Sequence, residues 1–319
     1  MGRLIVYGDM MLDIRVNAAT FPEPGQDAIV DGLAFLPGGS AANCAATAAR
    51  LGAQVEFMGI TGRDPLPGLL VDDLKKYGVG TRYLREIAGA VGATIAIIGG
   101  AGERTFFSYR GAHSAISYGP TPSDLIAPDD IVHLSGYSFQ TDASRDTALS
   151  LMNQAKGCGA RISLDPSFHF ARDFALSEIL TALDFIFPNQ DEAVLMTGAA
   201  SPAEAATILR ERGAKTVVIK MGRDGCMIES EHTKAIVPAY SCTQIVDTIG
   251  AGDAFCGGFL TGILWGLGEK EAAYLGHAAA LKVIEQIGGH SGAPTLEDLL
   301  KSGLLPPSVS EQLSPLNLK

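Results

Sequence analysis

Six short apolar runs, at residues 4–7, 55–59, 131–134, 162–164, 185–187 and 217–219, are rich in Val and Ile and show no polar alternation. A strand with one wet face alternates, so runs like these must be covered on both faces, as in a parallel sheet. Helical patterns fill the gaps between them, at 41–50, 66–77, 145–156, 203–212, 254–267 and 271–287. Gly52, Gly78, Gly157 and Gly213 stand where a left-handed residue ends a helix at little cost. The alternation predicts an α/β fold with a doubly wound, mainly parallel sheet flanked by helices.

Two stretches break that rhythm. Residues 13–36 and 94–109 look extended, and the segments 94–98 and 104–109 flank a glycine-rich turn as a β-hairpin would. We expect a small β-sheet lid built from about 13–36 and 92–112, standing off a single domain that spans 1–319. The alternative is an antiparallel edge of the main sheet. The tail after Gly303, with Pro306, Pro307 and Pro315, is expected to be a surface strap or a frayed end.

Composition narrows the function. Hydrophobic residues make up 47% and charged residues 18%, enough to bury a large core and too apolar for a disordered chain. The 24 Lys and Arg against 35 Asp and Glu give a net charge of −11, which repels nucleic acid and anionic membranes. Five cysteines, odd in number and without a CxxC pair, argue against a zinc site or a disulfide framework. No stretch approaches the ~20 apolar residues of a membrane helix, and the start of the chain, broken by Asp9 and Asp13, is too short and acidic for a signal peptide. A soluble, cytoplasmic protein is expected.

The strongest chemical signal is Asp247-Thr-Ile-Gly-Ala-Gly-Asp253, followed by an apolar helical segment. A glycine turn feeding a helix N-terminus lets the N–H groups of Gly250, Ala251 and Gly252 converge on an anion, aided by the helix dipole. Asp253 then sits beside a bound phosphate, placed to accept the proton of an attacking hydroxyl, or it merely complements the dipole of a capped helix. The small residues Gly250, Ala254, Gly258, Gly262 and Gly266 recur every four positions and predict close packing.

Three weaker signals accompany it. Gly38-Gly-Ser-Ala-Ala-Asn43 opens an alanine-rich helix, where Asn43 offers both a donor and an acceptor. Asn43 is equally placed as a helix cap; with Asp13 upstream, it suits the hydroxyls of a polyol. Asn189-Gln-Asp-Glu192 follows a strand, on the usual ligand side of an open α/β sheet, and suits Mg²⁺ held through water or simply an N-cap with a first-turn acid. Val217-Val-Ile-Lys-Met-Gly222-Arg-Asp-Gly225 reads as a strand and tight turn, either beneath a nucleotide or as an ordinary hairpin. No GxxxxGK[ST] or HExxH motif occurs, no GxGxxG follows a strand, and the 6 histidines show no metal-ligand spacing.

The segments GGSAANCAATAARLG and DTIGAGDAFCGGF, with NQDE and KMGRDG between them in order, resemble the ribokinase-like, PfkB-type carbohydrate kinases over nearly the whole chain. That resemblance implies a central sheet with a β-lid closing over a sugar, and transfer of the ATP γ-phosphoryl group to a hydroxyl. It implies Asp253 as base, an anion hole at Gly250, Ala251 and Gly252, and substrate contacts from Asp13, Gly38, Gly39, Asn43 and Arg104. On the ATP side it implies Asn189, Lys220, Gly222, Gly225, Thr248 and His277, with Asn189 and Glu192 organising Mg²⁺. Asp247 and Ile249 match part of a monovalent-cation pattern, which implies K⁺. Ser40 stands where ribokinases carry Lys, and His277 where the family commonly has Asn, so the pattern departs from ribose, and a nucleoside kinase is the alternative. A catalytically silent sugar or nucleotide sensor is a further reading, one with no need for a base at Asp253. An exposed lid edge is expected to pair in a homodimer.

Overall fold

The computed structural model describes residues 2–18, 20–64, 66–99, 104–112, 117–167, 170 and 179–316. Strands β1 (Leu4–Tyr7), β4 (Val55–Asp64), β5 (Gly80–Ala90), β8 (Ile131–Ser135), β9 (Arg161–Asp165), β10 (Phe185–Ile186), β11 (Thr216–Lys220), β12 (Cys226–Ser230) and β13 (Lys234–Val237) form one sheet. Its order is β13-β12-β11-β10-β9-β8-β1-β4-β5, and the strands from β5 through β11 are parallel. The edge strands β12 and β13 are antiparallel. All six apolar runs lie in this sheet or, for Phe187, directly after a strand. The strands β5 and β13 have no such run and escaped the sequence reading, whereas β12 pairs with β11 as the hairpin alternative at 217–225 expected.

Burial explains the missing alternation. In β1, Leu4 and Val6 join one core cluster and Ile5 joins the other with Tyr7, one cluster on each face of the sheet. Helices α1 (Ser40–Leu51), α2 (Pro67–Lys76), α6 (Ala251–Leu264) and α7 (Glu269–Ile284) cover the first face. Helices α3 (Asp142–Cys158), α4 (Gln190–Thr197) and α5 (Pro202–Glu211) cover the second. The small-residue stripe packs as expected: a Cβ on Gly258 would lie 2.8 Å from the Gly276 Cα, so α6 and α7 approach closely. Two short helices, α8 (Leu296–Ser302) and α9 (Pro307–Leu313), complete the described chain. The tail is thus no strap, because Leu305, Val309 and Leu313 are buried in the first core, and Pro at the first position of α9 suits a helix start.

A second sheet, β3-β2-β6-β7, is formed by β2 (Met11–Asn17), β3 (Gly32–Gly38), β6 (Gly92–Ile98) and β7 (Arg104–Tyr109). It is separate from the main sheet, as the lid reading required. The β6–β7 pairing is the expected hairpin, while β2 joins β3 antiparallel and β6 in parallel.

Candidate active site

Strand β1 pairs with β4 on one side and β8 on the other, so the chain diverges there and opens a crevice beyond the strand ends, where open α/β sheets take ligands. A cavity of about 630 Å³ occupies that crevice. Its walls include Asp9 after β1, Ser135 and Asp165 at the ends of β8 and β9, Lys220 at the end of β11, and Asp253 on α6. The second sheet lines it with Met11, Asp13, Thr94, Ala96, Phe106 and Ser108. A second cavity of about 800 Å³ lies against it, lined by Asn189, Gly222, Gly225, Tyr240, Thr248, Gly252 and His277. Lys220 borders both.

Helix α6 is fixed over the strand ends by its aromatic face. Phe255 and Phe259, one turn apart, meet Phe187 edge-on at ring distances of 6.4 and 5.2 Å. Its N-cap is Gly250, at φ 77°, where a Cβ would lie 1.9 Å from the Gly289 carbonyl oxygen. Only glycine fits that approach. Among the described residues the Gly252 and Asp253 amides have no backbone acceptor, while Ala251 N–H makes a long contact of 3.4 Å to Thr248 O. The Gly250 amide likewise has no described acceptor, so the N–H groups of Gly250, Gly252 and Asp253 are open at this turn, with the dipole behind them.

The Asp253 carboxylate is held from two sides. Ser40 Oγ donates to Oδ1 at 2.8 Å and Asn43 Nδ2 donates to Oδ2 at 2.8 Å. Asn43 is therefore no helix cap; Gly39 occupies that position on α1. Burial, with Asp165 nearby, pushes Asp253 up to about 6, against the pull of those two donors. Behind Asn43 stands His290, with Nδ1 2.8 Å from Asn43 Oδ1 and Nε2 2.6 Å from Asp73 Oδ2.

Lys220 Nζ binds both oxygens of Asp165, at 2.6 and 2.7 Å, and the Cys256 thiol donates to the same carboxylate at 3.3 Å. Burial opposes the Lys220 charge, but Asp165 and neighbouring anions hold its pKa above the usual lysine range. Asn189 and Glu192 form a capping box: Asn189 Oδ1 accepts from Glu192 N at 2.8 Å, and Glu192 Oε2 accepts from Asn189 N at 2.9 Å. Burial raises Glu192 to about 7, against the opposing pull of Lys220. His277 lies beside Phe255 with Nε2 3.2 Å from Val237 O, and burial pushes it down to about 4, so its ring is neutral.

On the lid side, Asp13 lies against the glycine pair: a Cβ on Gly38 would fall 2.1 Å from Asp13 Oδ2. Burial, with Asp9, Asp253 and Asp247 nearby, raises Asp13 to about 7. Arg110 pairs with Asp9 at 3.6 Å and lies over the Tyr137 ring at 3.9 Å. Arg104 opens β7, and its side chain lies outside the described residues. Asp247, 1% exposed, receives Ile249 N–H on Oδ1 at 3.1 Å, and the Arg15 guanidinium and Gly288 N–H on Oδ2 at 3.2 and 3.3 Å.

The structure thus gathers Asp13, Gly39, Asn43, Lys220, Glu192 and Asp253 around or between two adjoining cavities. Sequence reasoning missed Asp9, Asp73, Arg15, Arg110 and His290, which carry no local motif and arrive only through chain crossings. Asp165, at a strand end before Pro166, gave a fair signal by position.

Comparison with known proteins agrees with this geometry. The chain is 28% identical to the ribokinase of Haemophilus influenzae, with 93% of this chain and 97% of that protein covered. It is 30% identical to fructokinase-2 of Oryza sativa subsp. japonica, over 82% and 79% of the two chains. The Arabidopsis thaliana ribokinase complexed with ribose and ATP superposes with a TM-score of 0.82 at 24% identity, covering 94% of this chain and 98% of that one. The family model for pfkB family carbohydrate kinases matches residues 1–296. With its folded site in view, the chain belongs to the pfkB family of carbohydrate kinases.

Proposed function

We propose that the protein transfers the γ-phosphoryl group of ATP to a hydroxyl of a small sugar. The observation that carries this is Asp253: a carboxylate clamped by Ser40 and Asn43 at a helix N-terminus, where a lid-covered cavity meets a second one. The sugar occupies the first cavity, with Asp13, the backbone at Gly38 and Gly39, and Asn43 around its hydroxyls; Arg104 is proposed with them by position in the family pattern. The nucleotide occupies the second, against Asn189, Gly222, Gly225, Thr248 and His277. As the hydroxyl oxygen bonds to phosphorus and the bond to the ADP oxygen breaks, the hydroxyl proton passes to Asp253. The N–H groups around Gly250, Ala251 and Gly252, with Lys220, face the charge on the transferring group.

Among the described residues no three His, Cys, Asp or Glu side chains gather as a metal cage. Glu192 still fits hydrated Mg²⁺, because Oε1 of this buried carboxylate takes part in no described hydrogen bond while Oε2 is held by the cap. Asn189 commits its Oδ1 to that cap, so the metal-facing part falls to Glu192. Mg²⁺ bound there would neutralise phosphate charge.

We further read 1–319 as one catalytic domain with its lid, acting as a homodimer. Cavity-lining residues alternate along β6 and β7 with Ile95, Phe107 and Tyr109, and the register places Phe35 beside them on β3, with Leu33 exposed on the same strand, which leaves an exposed apolar outer face. A second lid stacking on that face is favoured over edge pairing. Free thiols at Cys44, Cys158, Cys226, Cys242 and Cys256 suit a reducing cytoplasm, and no described helix is long and apolar enough to cross a membrane.

The test is ADP formation from MgATP across pentoses, hexoses, keto-deoxy sugar acids and nucleosides. ADP release that depends on one sugar class is expected. Binding of a sugar without any ADP would turn the reading to a silent sensor, and a response confined to nucleosides would move the substrate class.

A further inference from the structure

The monovalent-cation pattern at Asp247 and Ile249 meets an unexpected neighbour. A cation needs oxygen lone pairs turned toward it, but both Asp247 oxygens already face donors: Ile249 N–H on Oδ1, Gly288 N–H and the Arg15 guanidinium on Oδ2. With the Arg15 guanidinium 3.2 Å from Oδ2, a K⁺ on the same carboxylate would meet a like charge, so these residues do not fit a bound K⁺ beside Arg15. Asp247 is buried, and a buried carboxylate requires a compensating positive charge. Arg15 provides it from the lid strand β2, where its side chain lies on the same face as Met11 and Asp13, which line the first cavity. Asn17 Oδ1 accepts a further bond from Arg15 Nε at 3.4 Å.

We propose that the Arg15 guanidinium takes the place of a monovalent cation at Asp247, making the reaction independent of K⁺ and Na⁺ and delivering that charge with the lid. The position is consequential. Asp247 Oδ1 holds the Ile249 amide, and Ile249 leads directly into the Gly250 turn, so whatever neutralises Asp247 also sets the loop that presents the anion-binding N–H groups. A cation-requiring site would leave that loop to an exchangeable ion; here a side chain on the sugar-covering sheet controls it.

The inference rests on the kinase reading above, and its test separates the two. Initial rates of the whole protein are measured with MgATP and its acceptor sugar in tetramethylammonium, Na⁺ or K⁺ chloride at equal ionic strength. Equal rates are expected in all three salts, and K⁺ activation above ~5-fold, the scale of ordinary effector coupling, overturns the proposal. Arg15→Met should be poorly active in tetramethylammonium and recover with millimolar guanidinium or K⁺, whereas full activity without either also overturns it. Should Arg15→Met fold poorly, Arg15→Lys serves, and its activity should stay ion-independent. Melting temperatures give a readout without turnover: that of the wild type should be the same in K⁺ and tetramethylammonium, and K⁺ stabilisation would refute the proposal. Absence of ADP in every salt, with an ion-independent melting temperature, rejects the kinase reading alone.

Discussion

His290 Nδ1 lies 2.8 Å from Asn43 Oδ1. Since the Asp253 carboxylate can only accept, Asn43 must turn its nitrogen toward Asp253 and its oxygen toward His290, which therefore donates. Asp73 closes the chain on the far ring nitrogen, 2.6 Å away, and Tyr77 packs edge-on against the imidazole at 4.9 Å. His290 in the loop after α7, with Asp73 of α2 behind it, thus fixes the α1 amide that holds the Asp253 carboxylate on α6.

His290→Leu should lower kcat by about 10–100-fold, the scale on which small misplacements of a reacting group act. The KM for ATP should stay near the wild-type value, because His290 borders neither cavity. Steady-state kinetics in both substrates checks this, and an equal loss on the ATP side would mark a general folding defect.

Asp253→Asn should cut turnover by ~10²–10⁴-fold, the usual contribution of a positioned acid or base. ATP binding, followed by calorimetry, should persist, since the N–H donors at the start of α6 are unchanged.

The wild-type rate should fall as pH drops through about 6, where Asp253 takes up its proton in the free protein. Asn43→Ala removes a hydrogen bond that favours the ionised form, so the acid limb of kcat/KM should move to higher pH. A limb that stays in place would mean that another group sets it.

Asp13 is raised to about 7 by burial among other carboxylates, so the folded state holds its proton more tightly than the unfolded chain does. Its contribution to stability is therefore greatest below the unfolded value near 3.8 and is lost as pH climbs through about 7. Asp13→Asn should raise the melting temperature at pH 8 by roughly 2–4 °C per kcal/mol relieved and change it little at pH 4. Sugar affinity should fall at the same time.

Phe107→Asp places a charge in the middle of the lid's apolar outer face. Light scattering should show the mass move from dimer toward monomer at micromolar concentration. An unchanged dimer would place the interface elsewhere.

Much of this molecule was legible from its residues. Unbroken apolar runs, such as the one at 217–219, identified the buried parallel strands because two covered faces leave no place for polar alternation. The turn into α6 was legible because a glycine-rich turn and a first-turn Asp253 are local properties, although the close approach of Gly250 to the distant Gly289 carbonyl was not. Strand β5 hid because it lies at the sheet edge, with exposed residues such as Arg82 and Glu86 among its apolar ones. Helix α9 hid behind three prolines whose spacing suggested an irregular tail, although Val309 and Leu313 follow an apolar i, i+4 pattern. His290, Arg110 and Arg15 were illegible for another reason: their partners lie 247, 101 and 232 positions away in sequence, and no local pattern encodes a pairing made by topology.

Asp13 rides on the covering sheet, whereas Asp253 belongs to the helix beneath it. On the proposed reading, neither half would grip an acceptor by itself, so a molecule whose cover stood away from its base would lack a complete pocket in which water could replace the alcohol. Loss of nucleotide to idle hydrolysis would then be restrained by assembly of the compartment itself, before any chemical preference for one nucleophile over another is called upon.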